Sequence, residues 1–176
     1  LKKITLLSVW IYRMITRGFE RRVALKKLSQ SQGCQDGGSI LILGSGKLSK
    51  SSQQAVREKL GIMPLMAMNH FDESFLGQEI IPAYWLMLDI EAQQNSADPK
   101  VQKTWEKIEA CTNTEIVVPW RFFNKTKHPK KLAVDNDSLA GLIANISPLR
   151  PRGYEGKSCL KALCLADYLG FSNIYL

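Results

Sequence analysis

The segment from Ser39 to Gly46 constrains the fold of this chain more than any other part of it. The apolar run 40–43 stops abruptly at Gly44 and Gly46, and a polar stretch that favours a helix follows. A short buried strand that turns through glycine into a helix is the opening unit of parallel α/β folds. Glycine lets the backbone approach an anion closely, and the helix N-terminus beyond it offers unpaired N–H groups. The segment therefore predicts a nucleotide-type ligand at the end of the first strand.

Composition and charge narrow the class of protein. The 176 residues are 45% hydrophobic and 23% charged, which is ordinary for one globular domain with its own core. Residues 1–27 contain eight basic residues and one acidic residue, whereas the rest of the chain has 16 basic and 15 acidic residues. Because the excess positive charge belongs to one terminal segment, the sequence predicts no nucleic-acid-binding face.

The cysteines and histidines do not form a metal-binding pattern. No C-x-x-C pair is present, and neither histidine stands at ligand spacing from a cysteine. Free thiols and no metal site are therefore expected, as in a protein of the reducing cytoplasm. The residues concerned are Cys34, Cys111, Cys159, Cys164, His70 and His128.

The first 28 residues predict a basic amphipathic helix. Apolar residues recur at three- and four-residue steps, and the apolar stretch 4–15 is too short to span a bilayer, which needs about 20 residues. Such a helix suits the anionic surface of a membrane, or else packs on a protein domain. Equal sedimentation with liposomes, with and without residues 1–28, would exclude the membrane alternative. A glycine-rich linker is expected over 29–38 and the folded domain over 39–176.

Strands and helices alternate along this domain. Strands are predicted over 62–71, 82–89, 114–120 and 173–176, and helices over 49–60, 99–110, 136–146 and 156–169, with a basic loop over 121–131. The order predicts a Rossmann-like α/β fold with a mostly parallel sheet flanked by helices. Because the chain begins at Leu1 and stops inside a predicted strand, we expect a fragment of a longer protein.

Taken alone, the glycine turn leaves its own role open. The end of a P-loop is matched at Gly46, but Leu41 replaces its first glycine and Leu48 its serine or threonine. The dinucleotide fingerprint is matched at Gly44 and Gly46, and Ser49 stands at its third glycine. The turn therefore indicates either a phosphate site or only a change of chain direction.

Further segments extend the pattern: Asn-His-Phe at 69–71, Asp89 after the third apolar run, and L-G-F-S-N-I-Y-L at 169–176. In this order the chain resembles bacterial CMP-sialic-acid-dependent sialyltransferases and related glycosyltransferase-like domains. Those proteins have a G-N-G-P-S-L turn, an N-x-F after the second strand, and an R-x-x-S-G segment before a helix ending in L-G-[FY]-x-x-I-Y-L. The resemblance covers 39–176 with a poorly matched middle, and the last motif is its most specific part.

The resemblance implies a nucleotide-sugar site and the residues that form it. The residues that it assigns to the donor are Gly44, Ser45, Gly46, Asn69, Asp89, Arg152 and Gly156. It implies no metal and no cofactor beyond the CMP-linked donor, and it places the general-base histidine beyond Leu176. The serine of the family's Ser-Gly pair is replaced here by Glu155.

The function that the resemblance implies is sugar transfer from a CMP-linked donor to a glycan, lipid or protein acceptor. The expected location is the cytoplasm or, peripherally, the inner face of the membrane. One alternative is a pyrophosphokinase-like phosphotransferase of the same superfamily, which would use Mg²⁺ near Asp89 and Glu91. Another is a non-catalytic module in which the glycine turn only redirects the chain. Asn69 and His70 also have structural interpretations, as a turn-former and as a residue lining the pocket.

Overall fold

The computed structural model describes residues 18–71, 80–89, 94, 96–134 and 158–176. The strands are β1 (Ser39–Leu43), β2 (Leu65–Met68), β3 (Tyr84–Leu86), β4 (Glu115–Pro119), β5 (Lys131–Val134) and β6 (Asn173–Tyr175). The helices are α1, described over 18–30, then α2 (Lys50–Lys59), α3 (Pro99–Ala110), α4 (Trp120–Phe123) and α5 (Ser158–Leu169). The strands form one sheet in the order β5-β4-β3-β2-β1-β6, with every neighbouring pair parallel. The predicted Rossmann-like α/β fold is therefore confirmed.

Strands β1 to β5 are buried at nearly every position because they are apolar on both faces of the sheet, whereas β6 at the edge is largely exposed. In β1, Ile40 and Ile42 face the layer that contains α1 and α5, whereas Leu41 and Leu43 face the layer that contains α2 and α3. Alternate residues of the next three strands divide between the two layers in the same way. Continuous apolar strands of this kind are typical of parallel sheets, whose crossover helices cover both faces.

The ends of α2 and α3 agree with the sequence prediction to within a residue. The Ser49 side chain caps α2 by accepting a hydrogen bond from the Ser52 N–H at 3.1 Å. The Asp98 side chain caps α3 by accepting one from the Lys100 N–H at 2.8 Å. Each cap lies within one turn of its own helix, so the local sequence carries the signal.

The strands differ from the prediction in length and in number. β2 begins at Leu65 rather than at residue 62, and Ile62 is 78% exposed. The segment predicted as a basic loop over 121–131 includes most of α4, and β5 begins at its last residue. A four-residue strand at the edge of the sheet is held by its pairing with β4 more than by its own composition, so its sequence gives a weak signal. The helix predicted over 136–146 lies outside the described residues.

Helix α1 and the glycine-rich segment after it pack against the sheet-bearing body. Leu28 of α1 is fully buried in the layer that α5 occupies. The segment 31–38 is hydrogen-bonded to the end of α5, and its bond from the Gly33 N–H to the Tyr168 carbonyl is 3.0 Å long. The segment predicted as a linker is therefore bound to the end of α5 through backbone hydrogen bonds.

The outer side of α1 combines apolar and basic residues. Phe19 and Val23 are 69% and 52% exposed, and the exposed Arg22 and Lys26 follow at helical spacing on the same side. Membrane contact through residues 1–28 stays a prediction. Within the described ranges, no helix has both the length and the apolar character that crossing a bilayer requires.

The strand order places the carboxyl ends of β1, β2 and β3 side by side. Leu43 of β1 is in register with Ala67 of β2, which is in register with Trp85 of β3. Because the strands are parallel, the residues that follow them meet at one edge of the sheet. The candidate functional site lies at this edge of the sheet.

Candidate functional site

The turn after β1 lies directly beside the end of β2. A Cβ atom added to Gly44 would lie 3.2 Å from the Met68 Cε atom, so the close approach of the two strand ends favours glycine there. Gly46 has open space around the position of a Cβ atom, and Ser45 and Gly46 are exposed. The turn therefore presents its backbone to solvent at the edge, beside the N-terminus of α2.

Asn69 turns the chain at the end of β2. Its backbone is left-handed, with φ of +47°, a conformation that asparagine adopts more readily than most residues. Its N–H donates to the Leu86 carbonyl at 2.7 Å, and its carbonyl accepts from the Trp85 indole Nε1 at 2.9 Å. The backbone of Asn69 is thus fixed to β3.

The Asn69 side chain joins three parts of the fold. Its Nδ2 donates to the Asp89 Oδ2 atom at 2.6 Å and to the Ser158 Oγ atom at 3.2 Å. Its Oδ1 accepts from the Leu88 N–H at 3.3 Å. Ser158 Oγ in turn donates to Asp89 Oδ1 at 3.0 Å. We call Asn69, Asp89 and Ser158 the edge cluster, since each is bonded to the other two.

The edge cluster brings the start of α5 to the ends of β2 and β3. Ser158 is the first residue of α5, so the Asp89 carboxylate lies at the positive end of that helix, where negative charge is stabilised. Asp89 is exposed, and each of its two oxygens accepts one of these bonds. A carboxylate accepts more than one hydrogen bond at each oxygen, and the hydroxyl and amine groups of ligands are suitable donors to it.

Positive charge and donors lie farther along the edge, at the start of α2. Lys47 and Lys50 are exposed around Ser49, whose hydroxyl is also within hydrogen-bond distance of the Ser51 and Ser52 hydroxyls, at 2.9 and 2.8 Å. The edge is therefore divided into a cationic half at the glycine turn and an anionic half at Asp89. A phosphate fits the first half, and hydroxyl groups fit the second.

His70 extends the edge toward the other layer. Its Nδ1 lies 3.0 Å from the Thr104 Oγ1 atom of α3, and its side chain is partly exposed. The neighbouring residues Asn69 and His70 are thus anchored to helices on opposite faces of the sheet. This contact supplies an orienting partner that the sequence did not indicate.

The structure brings together five of the seven residues that the sequence assigned to the site. Gly44, Ser45, Gly46, Asn69 and Asp89 all lie at the carboxyl edge. Arg152 and Gly156 lie outside the described residues, as does Glu91. No statement on their positions follows.

Ser158 is the residue that sequence reasoning missed. The resemblance implies a serine directly before Gly156, where this sequence has Glu155, and it implies no role for Ser158. The structure instead places Ser158 at the start of α5, where its hydroxyl is bonded to the edge cluster. The signal that could have found it is the preference of serine for helix N-termini.

A separate cavity of about 430 Å³ lies between α3 and the α4–β5 connection. Gln94 bridges its walls, since its Nε2 lies 2.5 Å from Glu109 Oε1 and its Oε1 accepts from the Lys127 N–H at 3.2 Å. None of the five predicted site residues that the structure describes lines this cavity. Among the described residues, no group of three or more metal-ligating side chains is present either.

Comparison with known proteins adds no assignment. The sequence matches no protein-family model and no curated protein. The function must therefore be argued from the edge of the sheet itself.

Proposed function

We propose that the carboxyl edge binds a nucleotide sugar, with a CMP-linked sugar as the leading candidate, and that the domain serves glycosyl transfer. The observation that supports this most directly is the edge cluster beside the glycine turn. Three chain segments, distant in sequence, deliver an amide, a carboxylate and a hydroxyl to one point at the place where ligands bind in parallel α/β sheets.

The phosphate of the ligand belongs at the glycine turn. The turn at residues 44–46 and the start of α2 lie at this edge, with the exposed Lys47 and Lys50 alongside. A phosphate at this position is stabilised by N–H donors, by the helix dipole and by two cations. Placing it beside Asp89 instead would set two negative charges against each other.

The sugar hydroxyls of the ligand belong at the edge cluster. Asp89 accepts hydrogen bonds from hydroxyls, and Asn69 and Ser158 hold its carboxylate in a fixed orientation. A ligand with a phosphate at one end and hydroxyls at the other matches this order of groups.

The reaction is a direct displacement at the anomeric carbon of the sugar. The bond from that carbon to the phosphate oxygen breaks, a bond to the acceptor oxygen forms, and the acceptor hydroxyl loses its proton to a base. Donors at the glycine turn stabilise the charge that develops on the departing phosphate. The resemblance expects the base beyond Leu176, and no described residue is assigned that role.

Isothermal calorimetry with CMP and CMP-linked sugars tests the proposal. We expect S158A and D89N each to weaken binding about fivefold, the effect of losing one hydrogen bond of ordinary strength. S31A and D167N are matched controls, because the Ser31 hydroxyl donates to the Lys27 carbonyl at the end of α1 and Asp167 is an exposed acid on α5. The controls should bind as tightly as the wild type. No heat and no change in melting temperature with any nucleotide at millimolar concentration would refute the proposal.

A further inference from the structure

His70 lies at the carboxyl edge of the sheet, and one of its two ring nitrogens is hydrogen-bonded to α3. It follows Asn69 directly, and Asn69 is bonded to Ser158 of α5 on one face of the sheet. The His70 ring is anchored on the opposite face, where its Nδ1 lies 3.0 Å from the Thr104 Oγ1 atom. The ring therefore lies across the edge, next to the edge cluster.

The partner of Nδ1 determines which ring nitrogen carries the proton. Thr104 is 8% exposed, and its hydroxyl donates to the Lys100 carbonyl at 3.0 Å. While the Thr104 hydroxyl gives its one hydrogen to the Lys100 carbonyl, it accepts a hydrogen bond from His70. In this arrangement Nδ1 is the donor, and in the neutral ring Nε2 keeps a lone pair.

That lone pair has no hydrogen-bond partner among the described residues. The His70 side chain is partly exposed at the edge where we propose that the ligand binds. Thr104 lies on the buried side of α3, between Val101 and Ile108, and this packing holds the hydroxyl in place. With Nδ1 bonded in this way, the ring presents Nε2 as an acceptor in a fixed orientation.

We infer that His70 Nε2 accepts a hydrogen bond from a hydroxyl group of the bound ligand. The inference rests on the proposed function, and it adds a specificity-determining residue on the α3 side of the edge. Asp89 and His70 then offer two acceptors from opposite faces of the sheet, which suits a ring that carries several hydroxyls. The hydroxyl belongs either to the ribose of the nucleotide or to a sugar.

Long-range proton–nitrogen NMR of the histidine rings tests the inference in the whole chain. The chain has two histidines, and His128 is an internal control because its Nδ1 lies 2.8 Å from the Lys130 carbonyl. In the free protein we expect His70 to carry its proton on Nδ1. CMP should shift the Nε2 signal of His70 and leave that of His128 in place. If only a CMP-linked sugar or a free oligosaccharide shifts the signal, the hydroxyl belongs to the sugar.

Two variants separate the ligand contact from the anchor. In H70N the side-chain amide can still reach Thr104, but no acceptor remains at the position of Nε2, so CMP should bind about fivefold more weakly. T104V keeps the ring and removes its anchor, so it should show a mixture of the two proton positions. If the hydroxyl belongs to the ribose, 2′-deoxy-CMP or 3′-deoxy-CMP should bind the wild type about fivefold more weakly than CMP does. H70N should bind that deoxy compound as tightly as it binds CMP.

The outcomes divide cleanly between the two proposals. A His70 proton on Nε2 in the free protein overturns the inference. The inference also fails if the ligand binds without shifting the His70 signals and binds H70N as tightly as the wild type. That result would not contradict the proposed function. If neither nucleotide nor saccharide binds at all, both proposals fail.

Discussion

Replacing Asn69 by glycine and by alanine separates two contributions of this residue to stability. Its backbone has φ of +47°, and its side chain makes three hydrogen bonds at the edge. Both replacements remove the side-chain bonds. Only alanine must also hold a left-handed backbone against its Cβ atom, because glycine adopts that conformation freely.

The bond from the Leu88 N–H is the most costly of the three to lose, because Leu88 is 1% exposed and its amide would be left without this acceptor. We assign about 1 kcal/mol to it and about 0.5 kcal/mol to each bond in the more exposed part of the cluster, so N69G should cost about 2 kcal/mol. The left-handed backbone adds about 1 kcal/mol in N69A.

Asn124 supplies the matched control. It is exposed and right-handed, with φ of −73° and ψ of −20° at the end of α4. There alanine should be more stable than glycine by about 0.5 to 1 kcal/mol, since glycine loses more backbone freedom on folding. The order of glycine and alanine should therefore reverse between the two asparagines.

Urea denaturation followed by far-ultraviolet circular dichroism measures the free energy of unfolding for all four variants. Equal dependence on urea concentration shows that the compared states expose similar surface. If N69A is as stable as N69G, the left-handed turn at the end of β2 is not a feature of the folded protein. The geometry of the edge cluster would then be wrong as well.

Two further predictions concern the rest of the fold. G170A should cost about 1 to 3 kcal/mol more stability than G61A. Both glycines have positive φ, but an added Cβ at Gly170 would lie 2.9 Å from Gly33 Cα, while Gly61 has open space. Equal losses in urea denaturation would contradict the close contact between residues 31–38 and the end of α5. Burial, together with nearby Cys34 and Glu115, raises the pKa of Tyr84 from 10.0 to about 12, so the folded protein keeps this phenol neutral after the unfolded chain has ionised. The free energy of unfolding should fall by about 1.4 kcal/mol per pH unit between about pH 10 and 12 as a result, and this contribution should be missing in Y84F. If the free energy of unfolding depends on pH in the same way in Y84F and the wild type, the phenol is not buried.

The helices show how much of the secondary structure the local sequence determines. The bounds of α2 and α3 were predicted from the sequence to within a residue, and Ser49 and Asp98 each cap their helix by accepting a bond from a nearby N–H. The strands are different, because a strand ends where its neighbour stops pairing with it. Ile62 continues the apolar pattern of β2 but lies outside the ladder and is exposed.

The candidate site was predictable in part for a related reason. A parallel sheet collects the carboxyl ends of its strands at one edge, so Gly44, Asn69 and Asp89 could be placed together before any coordinates. Ser158 and Thr104 could not. Ser158 is 69 residues from Asp89 and reaches it only because α5 crosses back over the sheet. Thr104 reads in the sequence as one more buried position on α3.

The amino-acid sequence by itself determined the fold class and the bounds of two helices, and it predicted the edge of the sheet at which we propose that a ligand binds. These depend on apolar periodicity and on residues that act within a few positions of one another. Tertiary structure alone decided which side chains bond to Asn69, that residues 31–38 are hydrogen-bonded to the end of α5, and that His70 contacts Thr104. Each of these depends on contacts between segments that only the packing of helices on the sheet brings together.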